Sequence, residues 1–579
     1  MIGVGLSIVQ LAVRQLLGRT FNPLDLFANG EQGAWYDVNL TDGVLFQDSA
    51  GTTPVTAVEQ PVGLMLDKSK GLVLGPQLVT NGDFSSGTTG WTGNANTSLS
   101  VVNGRLRATA INNGAIQVSR SSVPFTPGMY RASGEVYKNT SALVYSLYPG
   151  WNAIQNTPFY RVIQATTTAS IGFVTDSTPL AGDYFEIDNI SVRELPGNHA
   201  FQSTSASRPV LSALVNLLTK TEQFDDAVWS KRNVTLVSGQ TPPTGVNTAF
   251  LMYPATSGAD RDFFQTTTIS SGASYIGSFL VKPAGWRWVS LDGTNTSRAA
   301  YFDLQNGVLG TTAAGHAASI ENAGNGWWRI SVTTTAASSS LGYTTLKLVD
   351  GDASNYATAS GTNGILVTGS DLRVANDGVG LPAYQRVNTA TDYDTTGFPL
   401  YLRADGVDDG MVTNSINFTA TDKMTVWAGV RKLSDAAAGA FVELSPNINT
   451  NTSVFGIFAP ANSATGDYSF RSKGTADSGS SGTSAAMYPQ PITNVLTGIG
   501  NISGDSAILR INGTQAASST VDQGSGNFGN YPLYLFRRGG TTLPFNGRFY
   551  SLIVRGAAST TAQIEATEAY VNSRTKAFA

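Results

Sequence analysis

Residues 130–137 read Tyr130-Arg131-Ala132-Ser133-Gly134-Glu135-Val136-Tyr137. Successive side chains of a β-strand point to opposite faces. Tyr130, Ala132, Gly134 and Val136 therefore share one face, and Arg131, Ser133, Glu135 and Tyr137 share the other. A period of two, apolar on one side and polar on the other, predicts a half-buried strand of an antiparallel sheet. Tyr275, Gly277, Phe279 and Val281 repeat the pattern, as do Met424, Val426, Ala428 and Val430. Near the end, residues 509–511, then Asn512-Gly513, then Thr514 predict a hairpin, because Asn-Gly tolerates the two positive φ angles of a tight turn. Short alternating runs punctuated by Gly, Asn, Asp and Pro fill the chain between residue 30 and the last twenty residues. The predicted fold is mainly β, a tandem array of antiparallel β-sandwich (jelly-roll) domains.

The two ends read differently. Residues 1–17 are mostly apolar, with Ser7, Gln10 and Arg14 at i, i+3 and i+7 forming one narrow polar stripe. Gly18 supplies a stop and Pro23 follows, so a helix over about 3–17 is expected. The first basic residue, Arg14, lies inside the apolar run rather than before it, which does not match a signal peptide. The run is also too short and interrupted to span a bilayer, so no membrane insertion is expected. Its wide apolar face suits burial against another protein, as the self-associating base of an oligomer or a docking plug. Packing on its own domain is the alternative. At the other end, Thr560 and Gln563 form a capping-box pattern, and Ile564 and Val571 mark one face of a short C-terminal helix.

With 579 residues, the chain is long enough for three or four domains. Two stretches read as linkers, 197–210 and 386–399, and the Gly/Ser-rich stretch 475–486 reads as a mobile loop. The expected division is an N-terminal attachment and oligomerisation region 1–72, then sandwiches at 73–198, 199–392 and 393–579. Charged residues make up only 13% and the net charge is −4, which speaks against a nucleic-acid footprint. Cysteine is absent, which removes disulfides, thiolate zinc sites and thiol catalysis. His199 and His316 are the only histidines, expected to be exposed in the first linker and in a turn. No phosphate-cradling loop or Gly-x-Ser-x-Gly elbow occurs, and no catalytic residue is assigned. Asp405, Asp408 and Asp409 cluster, but their spacing is not that of an EF-hand loop, and turn formation beside Gly406 and Gly410 explains them.

Several segments resemble known families. Leu78-Val79-Thr80-Asn81-Gly82-Asp83-Phe84-Ser85, with Gly90-Trp91 and the stretch from Tyr184 to Val192, resembles carbohydrate-binding modules of the galactose-binding-like jelly-roll type. That resemblance implies a structural calcium between first and last strands, with Asp83 and Asp188 as the matching candidates. A turn cap at Asp83 and a local bond at Asp188 are the alternative. No other cofactor is implied. Asn216-Leu217-Leu218, the stretch Phe224-Asp225-Asp226-Ala227-Val228-Trp229, Val281-Lys282-Pro283, Tyr301-Phe302-Asp303-Leu304 and Gly326-Trp327-Trp328-Arg329-Ile330 resemble the sandwich module of bacteriophage head-spike and tail-fibre proteins. The stretch from Tyr401 to Asp409, with Gly547-Arg548-Phe549-Tyr550 and Leu552-Ile553-Val554, resembles concanavalin A-like lectin (laminin-G-type) domains. Residues 30–37 and 45–52 resemble a phage virion segment.

Sugar-binding surfaces combine aromatic faces with side chains that hydrogen-bond hydroxyls. Strand alternation puts Trp286 and Trp288 on one face, opposite Arg287, Val289 and Leu291. It puts Trp328 in the core with Ile330, and Trp327 with Arg329 on the other side. Trp286, Trp288, Trp327 and Arg329, with Asp260 and Arg261 on a loop, are the glycan-ligand candidates, and core packing of the tryptophans is the alternative. These resemblances imply a non-catalytic bacteriophage fibre or spike, located in the virion and assembled in the host cytoplasm. Its expected partners are copies of itself (trimers being common in such appendages), other virion proteins at the N-terminus, and host-surface glycan. The alternatives are a purely architectural capsid, collar or tail component, and a polysaccharide-degrading spike.

Overall fold

The computed structural model describes residues 21–578, apart from 127, 139–143, 147–151, 154–157, 166, 177, 214–215, 256–259, 294–295, 338–340, 355–357, 359–360, 376–380, 382, 464–465, 477–478 and 483–486. The helix expected over about 3–17 lies outside the described residues. Within them the protein consists of antiparallel β-sheets with one α-helix, Thr561–Thr575, near the end. The chain forms two compact units. One comprises Met1–Leu211, Tyr401–Pro489 and Val495–Arg574, and the other Ser212–Leu400 with Gln490–Asn494 and Thr575–Ala579.

The octet 130–137 lies in strand Gly128–Lys138. Its five-stranded sheet runs in the order Phe159–Ala165, Gly128–Lys138, Tyr184–Glu194, Arg105–Ala110, Thr97–Val102. A second five-stranded sheet, with Ala169–Thr175 at its centre, closes the sandwich. Tyr130, Ile163, Phe185 and Ile187 meet Val118, Ile171 and Phe173 in the shared core, as the alternation predicts. Each large side chain removed from water contributes roughly 1.5–3 kcal/mol. Gly134 is required by close approach: a Cβ there would lie 2.5 Å from Ile190 Cδ1 and 3.0 Å from the Phe159 ring.

The second sandwich of this unit draws on both ends of the chain. Strand Gly33–Asp37 pairs with Asn546–Arg555, from Gly33 opposite Arg555 to Asp37 opposite Ser551. Leu64–Met65 pairs with Ala200–Phe201, which pairs in turn with Met411–Asn417. The described part of 1–72 thus contributes the strands Gly33–Asp37, Leu45–Phe46 and Leu64–Met65 to the sheets of this second sandwich. The stretch 197–210 is likewise not a free linker, because Ala200–Phe201 is a strand of that sheet. His199, expected to be exposed, is buried. Its Nδ1 accepts from the Asp67 amide at 2.9 Å, so Nε2 carries the proton and donates to the Leu195 carbonyl at 3.0 Å. Asp67 in turn accepts from the amides of Trp35, Ser69 and Asn198. The residues around 198 are tied down by the N-terminal segment, which sequence alone does not reveal. His316 remains half-exposed in its turn.

The Asn512-Gly513 hairpin forms as expected, with φ of 50° and 81° at the two turn residues. So does the capping box: the Thr560 amide donates to Gln563 Oε1 at 3.0 Å, and the Gln563 amide to Thr560 Oγ1 at 3.2 Å. The helix it starts buries Ile564 and Val571. Glu568 accepts from Thr497 and Arg510, and Tyr570 and Arg574 bond to Asp37, so the helix crosses one face of the large sheet. Strand Lys423–Lys432 lies within that sheet and is consequently buried on both faces, Thr425 and Trp427 as well as Met424 and Val426. The half-buried reading of that strand is corrected accordingly. In the 475–486 stretch, Gly479–Gly482 pairs with Ser469–Lys473 as an edge strand rather than forming a loop.

The other unit packs two six-stranded sheets around Tyr275, Phe279, Val281, Trp229 and Phe263, again following the alternation. The second expected linker, 386–399, contains the small hairpin of Val387–Thr389 and Asp392–Tyr393, with Val387 and Tyr393 buried.

Candidate functional site

The face of the 130–137 strand that turns away from the core organises an open sheet surface. Register places Glu186 beside both Arg107 and Tyr137, Asp188 opposite Glu135, and Ser133 opposite Tyr160. Because alternation is in phase across a ladder, these side chains emerge on the same side of the sheet. Three tyrosines stand there, each next to an arginine. The Arg105 guanidinium lies 3.7 Å from the Tyr137 ring centre, Arg107 3.9 Å from Tyr184, and Arg131 5.7 Å from Tyr160.

Carboxylates hold these groups in place. Arg107 donates from Nε and Nη2 to Glu186 Oε1 at 2.9 and 2.7 Å, and Arg105 lies 3.7 Å from Glu186 Oε2. The Tyr137 hydroxyl donates to Glu135 Oε2 at 2.7 Å, and that bond holds the phenol above its usual range. Glu186 is 8% exposed, while Tyr160 is 58% exposed and presents an open ring. At the edge beyond Tyr160, the Val162 amide donates to the Ala50 carbonyl, and the 48–52 turn covers Val162. The result is an arrangement of rings, guanidiniums and carboxylates on one sheet face, with Arg105, Arg107 and Tyr137 held by Glu186 and Glu135. Chemically, it can stack an apolar ring face and bond hydroxyls from several directions.

The six residues singled out as glycan ligands lie elsewhere, and the structure does not gather them into an open surface. Trp286 is in the core, its Nε1 donating to the carbonyls of Trp288 and Val349. Its companion Trp288 is half-buried on the opposite side, while Val289 and Leu291 join Trp286 inside. The shared face expected for Trp286 and Trp288 fails because the strand begins only at Trp288, so Trp286 lies before it and outside the alternation. Trp327 does lie opposite Trp328, but it is 2% exposed, packed with Ala249 and Leu280 under Val246 and Leu366. Arg329 bonds to Ser278 and lies 3.7 Å from Asp371. Asp260 is ion-paired with Arg232, Arg298 and Lys347, and Arg261 is buried.

Asp83 and Asp188 are engaged separately. Asp83 accepts from the Ser85 amide and hydroxyl, and those bonds hold its carboxyl below the usual range. Asp188 accepts from its neighbour Asn189. These are the local roles of the alternative reading. Asp405, Asp408 and Asp409 do converge, with carboxylate oxygens within 4.8 Å of one another. Asp405 accepts from the amides of Val407 and Asp408, and Asp409 from that of Asp405, which is the turn chemistry expected for them.

No protein-family model and no curated protein matches the chain. Among solved structures, it is similar to the CBM40 carbohydrate-binding module of the Ruminococcus gnavus IT-sialidase. That match has 17% identity and a TM-score of 0.21, over 26% of this chain and 83% of that one. It is also similar to the binding domain of botulinum neurotoxin serotype D, with 10% identity and a TM-score of 0.24 over 29% and 42% of the two chains. A third match is the NanB sialidase of Streptococcus pneumoniae, with 15% identity and a TM-score of 0.22 over 28% and 27%.

The tyrosine-bearing surface was half visible in the sequence. Alternation gives Arg131, Ser133, Glu135 and Tyr137 as the polar face of their strand, but Arg105, Arg107, Tyr160, Tyr184 and Glu186 reach it from three other strands. The signal that could have found them is the same alternation, since Arg105 and Arg107, like Tyr184 and Glu186, are spaced two apart.

Proposed function

We propose that this chain is a non-catalytic bacteriophage appendage, a fibre or spike of the virion, that binds host-surface glycan through the Tyr137–Tyr160–Tyr184 sheet face. The observation that carries the glycan reading is the exposed Tyr160 ring on the same sheet face as two arginine-backed tyrosines and the carboxylates Glu135, Glu186 and Asp188. Rings of this kind stack against the apolar face of a pyranose, and charged groups two residues apart bond its hydroxyls. The virion part of the proposal is supported by the resemblances of residues 30–52, 216–330 and 401–554. In this reading the N-terminal region attaches to other virion proteins and to further copies of the chain, which assemble as a homotrimer. Several weak sites on one oligomer would then raise avidity without any new contact.

The test is a polysaccharide array probed with the full chain and with Tyr137→Ala/Tyr160→Ala/Tyr184→Ala. Binding to a defined glycan that falls at least tenfold in the triple variant, with an unchanged melting temperature, supports the reading. Undiminished binding by the variant removes this face from the account. Sustained release of reducing ends from the bound polysaccharide would overturn the non-catalytic part, and absence of any glycan binding would favour an architectural role.

A further inference from the structure

A second cleft lies within the unit built from residues 212–400, on residues the sheet-face reading does not use. It encloses about 570 Å³ and is lined by Glu222, Gln223, Asp225, Asp226, Gln240 and Asn247, among others. A smaller lobe of about 280 Å³ shares Glu222, Gln223 and Asn247 and adds Lys220 and Arg386.

Glu222 stands where the two lobes meet, and its chain is firmly held. The amides of Lys220 and Thr221 donate to the carbonyls of Asn388 and Val387, each at 3.0 Å. The Glu222 side chain is 5% exposed. Its Oε2 accepts from the Asn247 amide at 2.9 Å, whereas its buried Oε1 has no hydrogen bond. The nearby Tyr384 hydroxyl bonds to Thr221 Oγ1 at 2.6 Å instead. Burial holds the Glu222 carboxyl above its usual range, and the Asn247 amide and the nearby Tyr384 hydroxyl offset only part of that. A buried carboxylate oxygen without a partner is a rare feature, and a donor arriving from the cleft would satisfy it.

The titratable groups lining the larger lobe are all carboxylic: Glu222, Asp225 and Asp226. The cations sit in the smaller lobe and are already engaged, Lys220 at 3.9 Å from Asp226 and Arg386 at 2.9 Å from Asp394. Gln223, Gln240 and Asn247 supply amides suited to hydroxyl groups. The lobe therefore matches a ligand that is cationic and hydroxylated at once. We propose that this cleft binds an amino-sugar unit with a free amine, its ammonium donating to Glu222 Oε1 beside Asp225 and its hydroxyls meeting Gln240 and Asn247. The proposal extends the glycan-binding reading to a second unit but stands on separate residues, so the two fail separately.

The test is calorimetric titration of the full chain with three oligomers of equal length: glucosamine trimer, its N-acetylated counterpart and cellotriose. The glucosamine trimer should bind at least tenfold more tightly than the other two. Glu222→Gln keeps the acceptor for Asn247 and removes the charge, and it should weaken glucosamine binding at least tenfold while Tyr160→Ala leaves it unchanged. Asp225→Asn, at an exposed position, provides the same test if Glu222→Gln does not fold. Equal affinity for the three oligomers overturns the proposal. So does glucosamine binding that survives the cleft substitutions but is lost with Tyr160→Ala, a result that leaves the sheet-face reading standing.

Discussion

Replacing Asp409 with Asn should stabilise the protein above pH 6 and leave it unchanged near pH 4. Burial, reinforced by the neighbouring carboxylates of Asp405 and Asp408, pushes the Asp409 carboxyl up to about 6, against 3.8 for an ordinary aspartate. The folded state therefore binds a proton more readily than the unfolded chain between these values. Stability accordingly falls as pH rises from about 4 through 6 and stays lower above that. A shift of about two pH units corresponds to roughly 3 kcal/mol. Asp405 is exposed, so solvent and salt screen its share of the repulsion, and a net gain of about 1–2 kcal/mol at pH 8 is the working figure. The Asn side chain keeps an oxygen for the Asp405 amide that donates to Asp409 at 2.9 Å, so the turn is retained. Thermal unfolding at pH 8 with a chelator present should show a midpoint raised by about 2–4 °C. The advantage should vanish at pH 4. A variant that melts no higher than the parent at pH 8, or that keeps the parent's full pH dependence between 4 and 6, would refute this reasoning.

Other substitutions probe other parts of the fold. Burial lowers the pKa of His199, so the unfolded chain takes up a proton first and stability should fall as pH drops below about 6.5. His199→Asn should flatten that loss in urea titrations between pH 7 and 5. Trp286→Ala should cost about 3–5 kcal/mol by opening a core cavity, read as an earlier unfolding midpoint. Thr560→Ala removes one half of the capping box and should cost about 1 kcal/mol, visible as faster amide exchange in the first turn of the C-terminal helix.

Period-two patterning carried much of the architecture. Tyr130, Phe279 and Val426 all point where alternation puts them, because a strand's side-chain period is fixed by the backbone. It failed where a local break or a distant cover intervened. Trp286 precedes the strand that begins at Trp288, so period-two alternation does not apply to it, and it is core. The C-terminal helix covers the outer face of the sheet containing Lys423–Lys432, and nothing within that strand announces a cover about 140 residues away in sequence. His199 looked exposed among Ser and Ala, but Asp67, 132 residues earlier, fixes its neighbourhood. The candidate surface was legible as one polar strand face. Its composition as a site depended on ladder registers with Arg105–Ala110, Tyr184–Glu194 and Phe159–Ala165, which no single segment encodes.

The central claim is tested most directly by calorimetric titration of the full chain with the glycan selected on the array, comparing the parent with Tyr160→Ala and Trp288→Ala. The account predicts that loss of the exposed Tyr160 ring weakens binding about tenfold, a change of about 1.4 kcal/mol, while Trp288→Ala binds as the parent does. Binding unaffected by Tyr160→Ala but lost with Trp288→Ala would contradict it and move the site to the other unit.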